Sequence, residues 1–519
     1  MSKITKIIAR QIFDSRGNPT IEVEVFSNKI SASAICPSGA STGSFEAYEK
    51  RDQNNKKYLG KSVFKAVDTV NKIISKKIKN QNIHDQVKID NILIRLDGTK
   101  QKKKLGANTI LAVSMAIKKL SAKVKNIPLY KTFLISKNFK LPYPLMNIIN
   151  GGAHANNGLQ IQEFMIRPDK AKNFSEAIRM CFIVINNLRK ILKNSGHSTS
   201  VGDEGGFAPM IKNNETALKL IVKSISKSGF KNGRDISICL DVAANELIKQ
   251  NQYCVHSKKY ISVEKTIKQY LKMIDKYKIK SIEDPFAEND WQAWTKLMKQ
   301  NRKDVQIVGD DLYVTNLERL KIGFLNSSSN AILIKLNQIG TVTETLEVIK
   351  FAKLIGFKTI ISHRSGESED TFIADMCVGT GSEQIKTGSL ARSERVSKYN
   401  QLIRIEESIL AKKKYGKIVM LILIKKNLLL LSILLVFIYF VFNLLGGERG
   451  LISWYKKSRI LNDLENKNNV LTRKIANLEL KNSLLKDNID IDFIETLIRD
   501  KFVFGKKGEK TYIIKYNEN

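Results

Sequence analysis

From Lys6 to Phe26 apolar and polar positions alternate, with Ile and Val frequent, and the turn sequence DSRGNP (Asp14–Pro19) interrupts them. Period-two patterning around a Gly/Pro turn predicts a hairpin, here opening a small α+β unit. Helical periodicity follows at Val63–Lys79 and Asn108–Val124. Pro142 and Pro144 then mark a boundary, because proline does not continue a helix. Between Leu145 and about Glu407, short apolar runs of strand length alternate with longer amphipathic stretches, the mark of a parallel β/α architecture.

The pattern changes again at Leu428–Leu445, 18 residues without a charge. As a helix this stretch is about 27 Å long, close to the hydrocarbon thickness of a bilayer. Lys412–Lys414, Lys417, Lys425 and Lys426 precede it and fewer basic residues follow closely, which puts its N-terminal side in the cytoplasm. Beyond it Leu464, Leu471, Leu478 and Leu485 recur every 7 residues at d, with Leu461, Asn468, Ile475, Asn482 and Ile489 at a. This predicts a coiled coil of about four heptads, in which Asn at a favours a defined register and partner number.

The residue that follows each central apolar run carries the chemistry. ISICL is followed by Asp241, KSI by Glu283 and Asp284, VQIVG by Asp310 and Asp311, AILI by Lys335, TIIS by His363 and Arg364, and QI by Lys386. From Asp241 onward the gaps to Glu283, Asp310, Lys335, His363 and Lys386 are 42, 27, 25, 28 and 23 residues, each about one strand plus one returning helix. In a (β/α)8 barrel all such side chains converge on the C-terminal mouth. Like charges gathered there repel unless a cation or an anionic ligand joins them. Asp241, Glu283 and Asp310 are hard oxygen ligands that suit Mg2+. Upstream, NGGAH (Asn150–His154), Gln162–Glu163 and DEGGFAP (Asp203–Pro209) add polar groups in Gly-rich turns. There Glu204 can approach a ligand closely. Arg364 and Ser365 form a candidate phosphate clamp, and the small-residue loop PSGASTG (Pro37–Gly43) a candidate lid.

Composition alters this picture little. The 519 residues are 43% hydrophobic and 26% charged, which suits a globular protein of two or three units. The net charge of +37, from 87 basic and 50 acidic residues, is scattered along the chain rather than gathered in one block. No zinc-finger spacing, RNP-like aromatic motif or P-loop accompanies it, so no specific nucleic-acid partner is expected. Five cysteines, none in CxxC, indicate a reducing compartment, and the N-terminus has no apolar secretory segment.

Twelve motifs in series carry a resemblance: DSRGNPT, PSGASTG, NGGAHANN, QEFMI, VGDEGGFAP, LDVAAN, IEDPF, GDDL, IKLNQIG, SHRSGE, IKTGS and NQLIRIEE. From residue 3 to about residue 410 the chain resembles enolase, phosphopyruvate hydratase. The resemblance implies an N-terminal α+β domain (1–139) and a (β/α)8 barrel (140–417) with the irregular order ββαα(βα)6. It also implies reversible dehydration of 2-phosphoglycerate to phosphoenolpyruvate with two Mg2+, in a homodimer or larger assembly. Carried over, Lys335 takes the C2 proton and Glu204 protonates the departing hydroxyl. Asp241, Glu283 and Asp310 hold the first Mg2+ and Ser41 the second. Arg364 and Ser365 grip phosphate, and His154, Gln162, Glu163 and Lys386 contact substrate. Of the two aspartates in GDD, Asp310 is taken as the ligand. Such a base must be kept partly neutral, so burial and neighbouring positive charge are expected to hold Lys335 down.

The remainder divides into a basic linker (418–427), a transmembrane helix (428–446) and a coiled coil with its C-terminal end (447–519). Over about 420–514 it is similar to the septum-formation-initiator (DivIC-like) family. Those are bitopic division proteins whose coiled coils face outward and pair with another division protein. The expected location is therefore a cytoplasmic enzyme tethered to the inner membrane. Met420 could also begin a second protein, so a true fusion and two adjacent reading frames both fit, as does a division scaffold with a passenger enolase part.

Overall fold

The computed structural model describes residues 2–39, 43–54, 56–133, 139–255, 259–426, 428–486, 489–510 and 512, with only the helical backbone described between 412 and 429. The chain forms two compact units, residues 1–413 and 414–519.

The first unit opens with β1 (Lys6–Phe13), β2 (Pro19–Ser27) and β3 (Ile30–Ile35), an antiparallel sheet in that order. Ile7 pairs with Val25 and Ala9 with Val23, so the alternating apolar positions share one buried face. The second predicted helix is present as Ala107–Val124, which packs on that sheet. The first is interrupted. Phe64–Asp68 and Ser75–Ile78 are joined by a π-helical segment, Thr69–Ile74. A helix at Gln86–Asp97, capped by Asp85 and ended by Gly98, completes the unit's first domain and was not foreseen in the pattern.

The barrel contains β4 (Tyr143–Asn150), β5 (Glu163–Arg167), β6 (Ser237–Asp241), β9 (Ile279–Glu283), β10 (Gln306–Gly309), β11 (Ala331–Ile334), β12 (Lys358–Ser362) and β13 (Gln384–Lys386). A two-residue-stranded hairpin, β7 (Ile248–Lys249) and β8 (Gln252–Tyr253), lies outside it. The strands close in the order β4-β5-β6-β9-β10-β11-β12-β13. β5 runs antiparallel to both neighbours, and every other pairing is parallel. Two helices, Phe174–Asn194 and Asn214–Lys227, follow β5 in succession, which gives the expected ββαα(βα)6 order.

The strands read as continuous apolar runs because helices cover one face and the barrel interior the other. All four residues of AILI are buried. Leu145, Met165, Cys239, Val308, Ala331, Leu333 and Ile360 form a separate buried cluster contributed by six of the barrel strands. The helix Ser393–Lys426 follows β13.

In the second unit, the helix Leu428–Gly446 is the apolar stretch read from the sequence. Among the described residues it supplies the one span long and apolar enough to cross a membrane, with mean hydropathy 2.3 and none of it buried. The heptad run forms a single helix, Leu451–Lys486, and its d leucines are exposed in the lone chain. Ile489, assigned to the last a position, lies beyond the end of that helix. Asp490 accepts from the backbone N–H groups of Asp492 and Phe493 and starts a new helix, Ile491–Phe502.

Candidate active site

Strand direction gathers the charged residues. Asp241 and Glu283 are the last residues of β6 and β9 and pair in register. Glu163 is the first residue of β5, and since β5 is reversed, its start faces the same end as their finish and pairs with Asp241. Lys386 ends β13, while Asp310, Lys335, and His363–Arg364 directly follow β10, β11 and β12. The Lys386 ammonium lies 2.9 Å from Asp241 Oδ2, 2.8 Å from Glu283 Oε1 and 3.2 Å from Glu163 Oε1. Lys335 pairs with Asp310 Oδ2, and Gln338 donates to Asp310 Oδ1 at 2.9 Å. Gln162 donates to Asp241 Oδ2 at 3.3 Å.

Opposite charges offset one another unevenly. Burial, reinforced by Glu204, pushes the Glu163 carboxyl well above its usual range. Burial and then Asp241 do the same to Glu283. Asp310 moves the other way, because Lys335 and further cations outweigh the cost of its burial. Lys335 corrects the expectation of a depressed base. Burial pulls it down, but the Asp310 carboxylate beside it more than compensates, and its pKa is raised.

Glu204 sits in the Gly-rich turn foreseen for it. A Cβ on Gly205 would lie 2.7 Å from the Ala391 carbonyl, and one on Gly206 would lie 2.5 Å from Asn150 Oδ1, so only glycine permits this approach. Glu204 Oε2 accepts from Asn147 Nδ2 at 3.3 Å and lies 3.7 Å from His154 Nδ1 and 3.3 Å from His363 Nε2. Burial pushes Glu204 up, while positive charge on His154, His363 and Arg395 pulls it well below the carboxylate range. Burial also holds His363 down at about 4, so near pH 7 that imidazole is neutral and the pull of its charge is felt only in acid.

Arg364 is gripped in bidentate fashion by Glu46, at 3.0 and 3.1 Å. Ser365 is buried next to it. A cavity of about 30 Å³ joins these parts, lined among others by Glu204, Lys335, Asp310, Arg364, Ser365 and Lys386. Ser41, expected to hold a second ion, lies outside the described residues.

Residues 4–133 match the enolase N-terminal domain, and residues 138–421 match the enolase C-terminal TIM barrel domain. The chain belongs to the enolase family. The enolase of Pelagibacter ubique (strain HTCC1062) is 76% identical over 418 residues, 80% of this chain and 100% of that protein. Residues 436–517 match the septum formation initiator model. The chain is thus an enolase with an appended division-protein-like domain.

The enolase barrel offers what a hard cation requires. Glu163 Oε2 and Glu283 Oε2 are buried carboxylate oxygens without a hydrogen-bond partner, and such oxygens are costly unless a cation reaches them. Among the described residues, two sets each hold three potential ligand atoms within 4.8 Å of one another: His154, Glu163 and Glu204, and the all-carboxylate set Asp284, Asp310 and Asp311. Asp241, Glu283 and Asp310 are instead joined to lysines, the first two to Lys386 and the third to Lys335.

Several contacts of the site were not visible in the sequence. Asp284 is buried and accepts from the backbone N–H groups of Asp310 and Asp311 at 2.9 and 2.8 Å, which fixes the turn carrying both aspartates. Asp311 also lines the cavity but accepts from Asn245 Nδ2 at 2.8 Å, while Asp310 pairs with Lys335. Its acidic dipeptide was visible, but the backbone bonds were not. Glu46 lies 318 positions from Arg364, and no local pattern joins the two.

Proposed function

We propose that the chain interconverts 2-phosphoglycerate and phosphoenolpyruvate at this barrel mouth, with two Mg2+ per site. Arg364 and Ser365 hold the phosphate, the guanidinium fork matching its oxygens. His154, Gln162 and Glu163 orient the remaining substrate oxygens. Lys335 Nζ takes the proton from C2 and the electron pair passes onto the substrate carboxylate. Its return forms the C2–C3 double bond as the C3–O bond breaks. Glu204, ionised in the free site and so needing first to take up a proton, delivers that proton to the hydroxyl, which leaves as water. Lys386 places its positive charge where the substrate carboxylate gains a second negative charge. Asp241, Glu283 and Asp310 would hold one Mg2+ and Ser41 the other, and the ions would supply further positive charge to that carboxylate. Positive charge at these carboxylates would weaken the attraction of Asp310 and Glu283 that raises Lys335, against which burial, Arg364 and Lys386 act.

The observation that carries this reading is that Lys335 and Glu204, a base and an acid on distant segments, line one cavity with the phosphate clamp. The test is phosphoenolpyruvate formation by the purified full chain in detergent, with and without Mg2+. Lys335→Ala should abolish turnover while 2-phosphoglycerate still binds; activity near wild type in that variant refutes the assignment.

The tail supports a second component of the proposal. Residues 428–446 span the inner membrane with the enolase unit on the cytoplasmic side, and the heptad helix pairs outside with a division protein. The enolase unit assembles as a homodimer or larger oligomer. An immunoblot of fractionated cells separates the possibilities. One membrane band near 58.8 kDa supports a fused, tethered enzyme, and a shorter soluble enolase refutes it.

A further inference from the structure

Arg395 lies near the start of the helix Ser393–Lys426, and its side chain is 0% exposed. It is an expensive residue to bury without a close, well-aligned carboxylate. The nearest, Glu394 Oε1, is 3.4 Å from its Nε, which itself makes no hydrogen bond. Its guanidinium is spent elsewhere. Nη1 donates at 2.6 Å to His363 Nδ1 and at 2.6 Å to the Arg364 carbonyl. Nη2 donates at 2.6 Å to the Ser365 carbonyl and at 3.3 Å to the carbonyl of Asp203, the residue before Glu204.

A guanidinium is a donor only and does not lose its proton in a protein. His363 Nδ1 must therefore accept, and a neutral imidazole carries its one N–H on Nε2. That nitrogen faces Glu204 Oε2 at 3.3 Å and makes no hydrogen bond elsewhere. The bond is poorly aligned here, as such bonds often are before substrate tightens the site. Burial, which holds His363 at about 4, is consistent with the neutral ring.

We infer that Arg395 is a positioning residue for the acid half of the reaction, fixing His363 in its Nε2–H tautomer so that the ring orients the Glu204 carboxyl. The inference rests on the roles assigned above to Lys335 and Glu204. Arg395 is not among the residues lining the cavity that holds Lys335 and Glu204. It acts through His363 and through the carbonyls on either side of the cavity. Its effect should fall on C–O cleavage, which needs Glu204, and spare proton removal at C2, which needs Lys335.

The two steps can be read separately in full-length protein in detergent with Mg2+. Exchange of the C2 hydrogen of 2-phosphoglycerate with deuterium from solvent reports Lys335, and phosphoenolpyruvate formation reports both residues. Arg395→Gln should slow dehydration about a hundredfold, the range of a mispositioned general acid, and leave exchange within about threefold of wild type. With only five histidines in the chain, ¹⁵N spectra assigned with His363→Asn should show His363 as the Nε2–H form in wild type and as a tautomer mixture in Arg395→Gln. Arg395→Lys serves if the Gln variant does not fold, and should give the same split with a smaller loss. Equal losses in exchange and dehydration, or an unchanged tautomer, would overturn the inference. A wild-type chain with neither exchange nor dehydration overturns instead the reading on which it rests.

Discussion

Lys386→Met tests whether the rim is a set of charges held together by one ammonium. The substitution preserves much of the side-chain length and removes the cation that touches Asp241, Glu283 and Glu163 at 2.8–3.2 Å. Breaking a buried ion pair from one side costs about 3–5 kcal/mol, because the partner charge stays buried and unpaired. An unfolding entropy of roughly 2.1 cal/mol/K per residue amounts to about 0.9 kcal/mol/K for the 413-residue first unit. The metal-free variant should then melt about 3–6 °C below wild type. The measurement is thermal unfolding followed by near-ultraviolet circular dichroism, once in EDTA and once in saturating Mg2+. In Mg2+ the gap should narrow, because the carboxylates recover a cation, while turnover stays lost. Equal melting temperatures in EDTA, or a gap that Mg2+ leaves unchanged, would refute the view that these carboxylates are mutually repelling groups awaiting positive charge.

Other outcomes follow from features away from the rim. Burial lifts Asp375 to about 6, although Gln401 and the Tyr130 N–H donate to it. A raised carboxyl destabilises the fold only once the unfolded form ionises. The cost is therefore absent below about pH 4 and complete above pH 6. Unfolding free energies of Asp375→Asn and wild type should diverge in favour of Asn by about 2 kcal/mol between pH 4.5 and 7.5, and a pH-independent difference falsifies this. Gly206→Ala would press its Cβ on Asn150 Oδ1 and Asn147 Oδ1, at 2.5 and 3.0 Å; dehydration should fall at least about tenfold by assay, and normal turnover would show that this turn does not set the position of Glu204. Glu46→Gln should raise the KM for 2-phosphoglycerate about tenfold, because a neutral amide cannot hold the Arg364 fork at two points; an unchanged KM would exclude Glu46 from clamp alignment.

The barrel and its rim were legible because parallel strands impose a fixed relation between sequence and space. A charged residue directly after a doubly buried apolar run sits at the mouth, so Asp241, Glu283, Asp310, Lys335 and Lys386 could be placed together by counting strands. Glu163 obeys a different relation. It begins its strand, so strand counting did not reach it: it stood out only as a polar group beside Gln162, and the resemblance gave it a role before the reversal of β5 explained its place. Glu46, Asn147 and Arg395 were not legible as partners of the site. Each reaches it through a contact between distant segments, and their immediate sequence surroundings carry no periodic signal for such contacts. The overrun of the heptads to Ile489 has a local cause, since Asp490 begins a separate helix that a seven-residue count does not detect. The raised pKa of Lys335 followed chiefly from Asp310, with Glu283 adding to it, and both side chains were expected to serve a cation rather than the base.

The reversal of β5 also redistributes which loops are open to change. Around the other strands, segments entering from below are scaffolding and segments leaving at the top edit chemistry. At β5 the traffic is inverted: the stretch entering it, with Gln162, forms part of the reaction chamber, while its exit at Arg167 belongs to the supporting floor, where the guanidinium reaches Gln384 at the start of β13. Insertions after Arg167 should be tolerated like those in any structural turn, whereas remodelling just before Glu163 changes what the enzyme can hold. A loop-grafting scheme that treats all eight strands alike would spare the wrong side of this one.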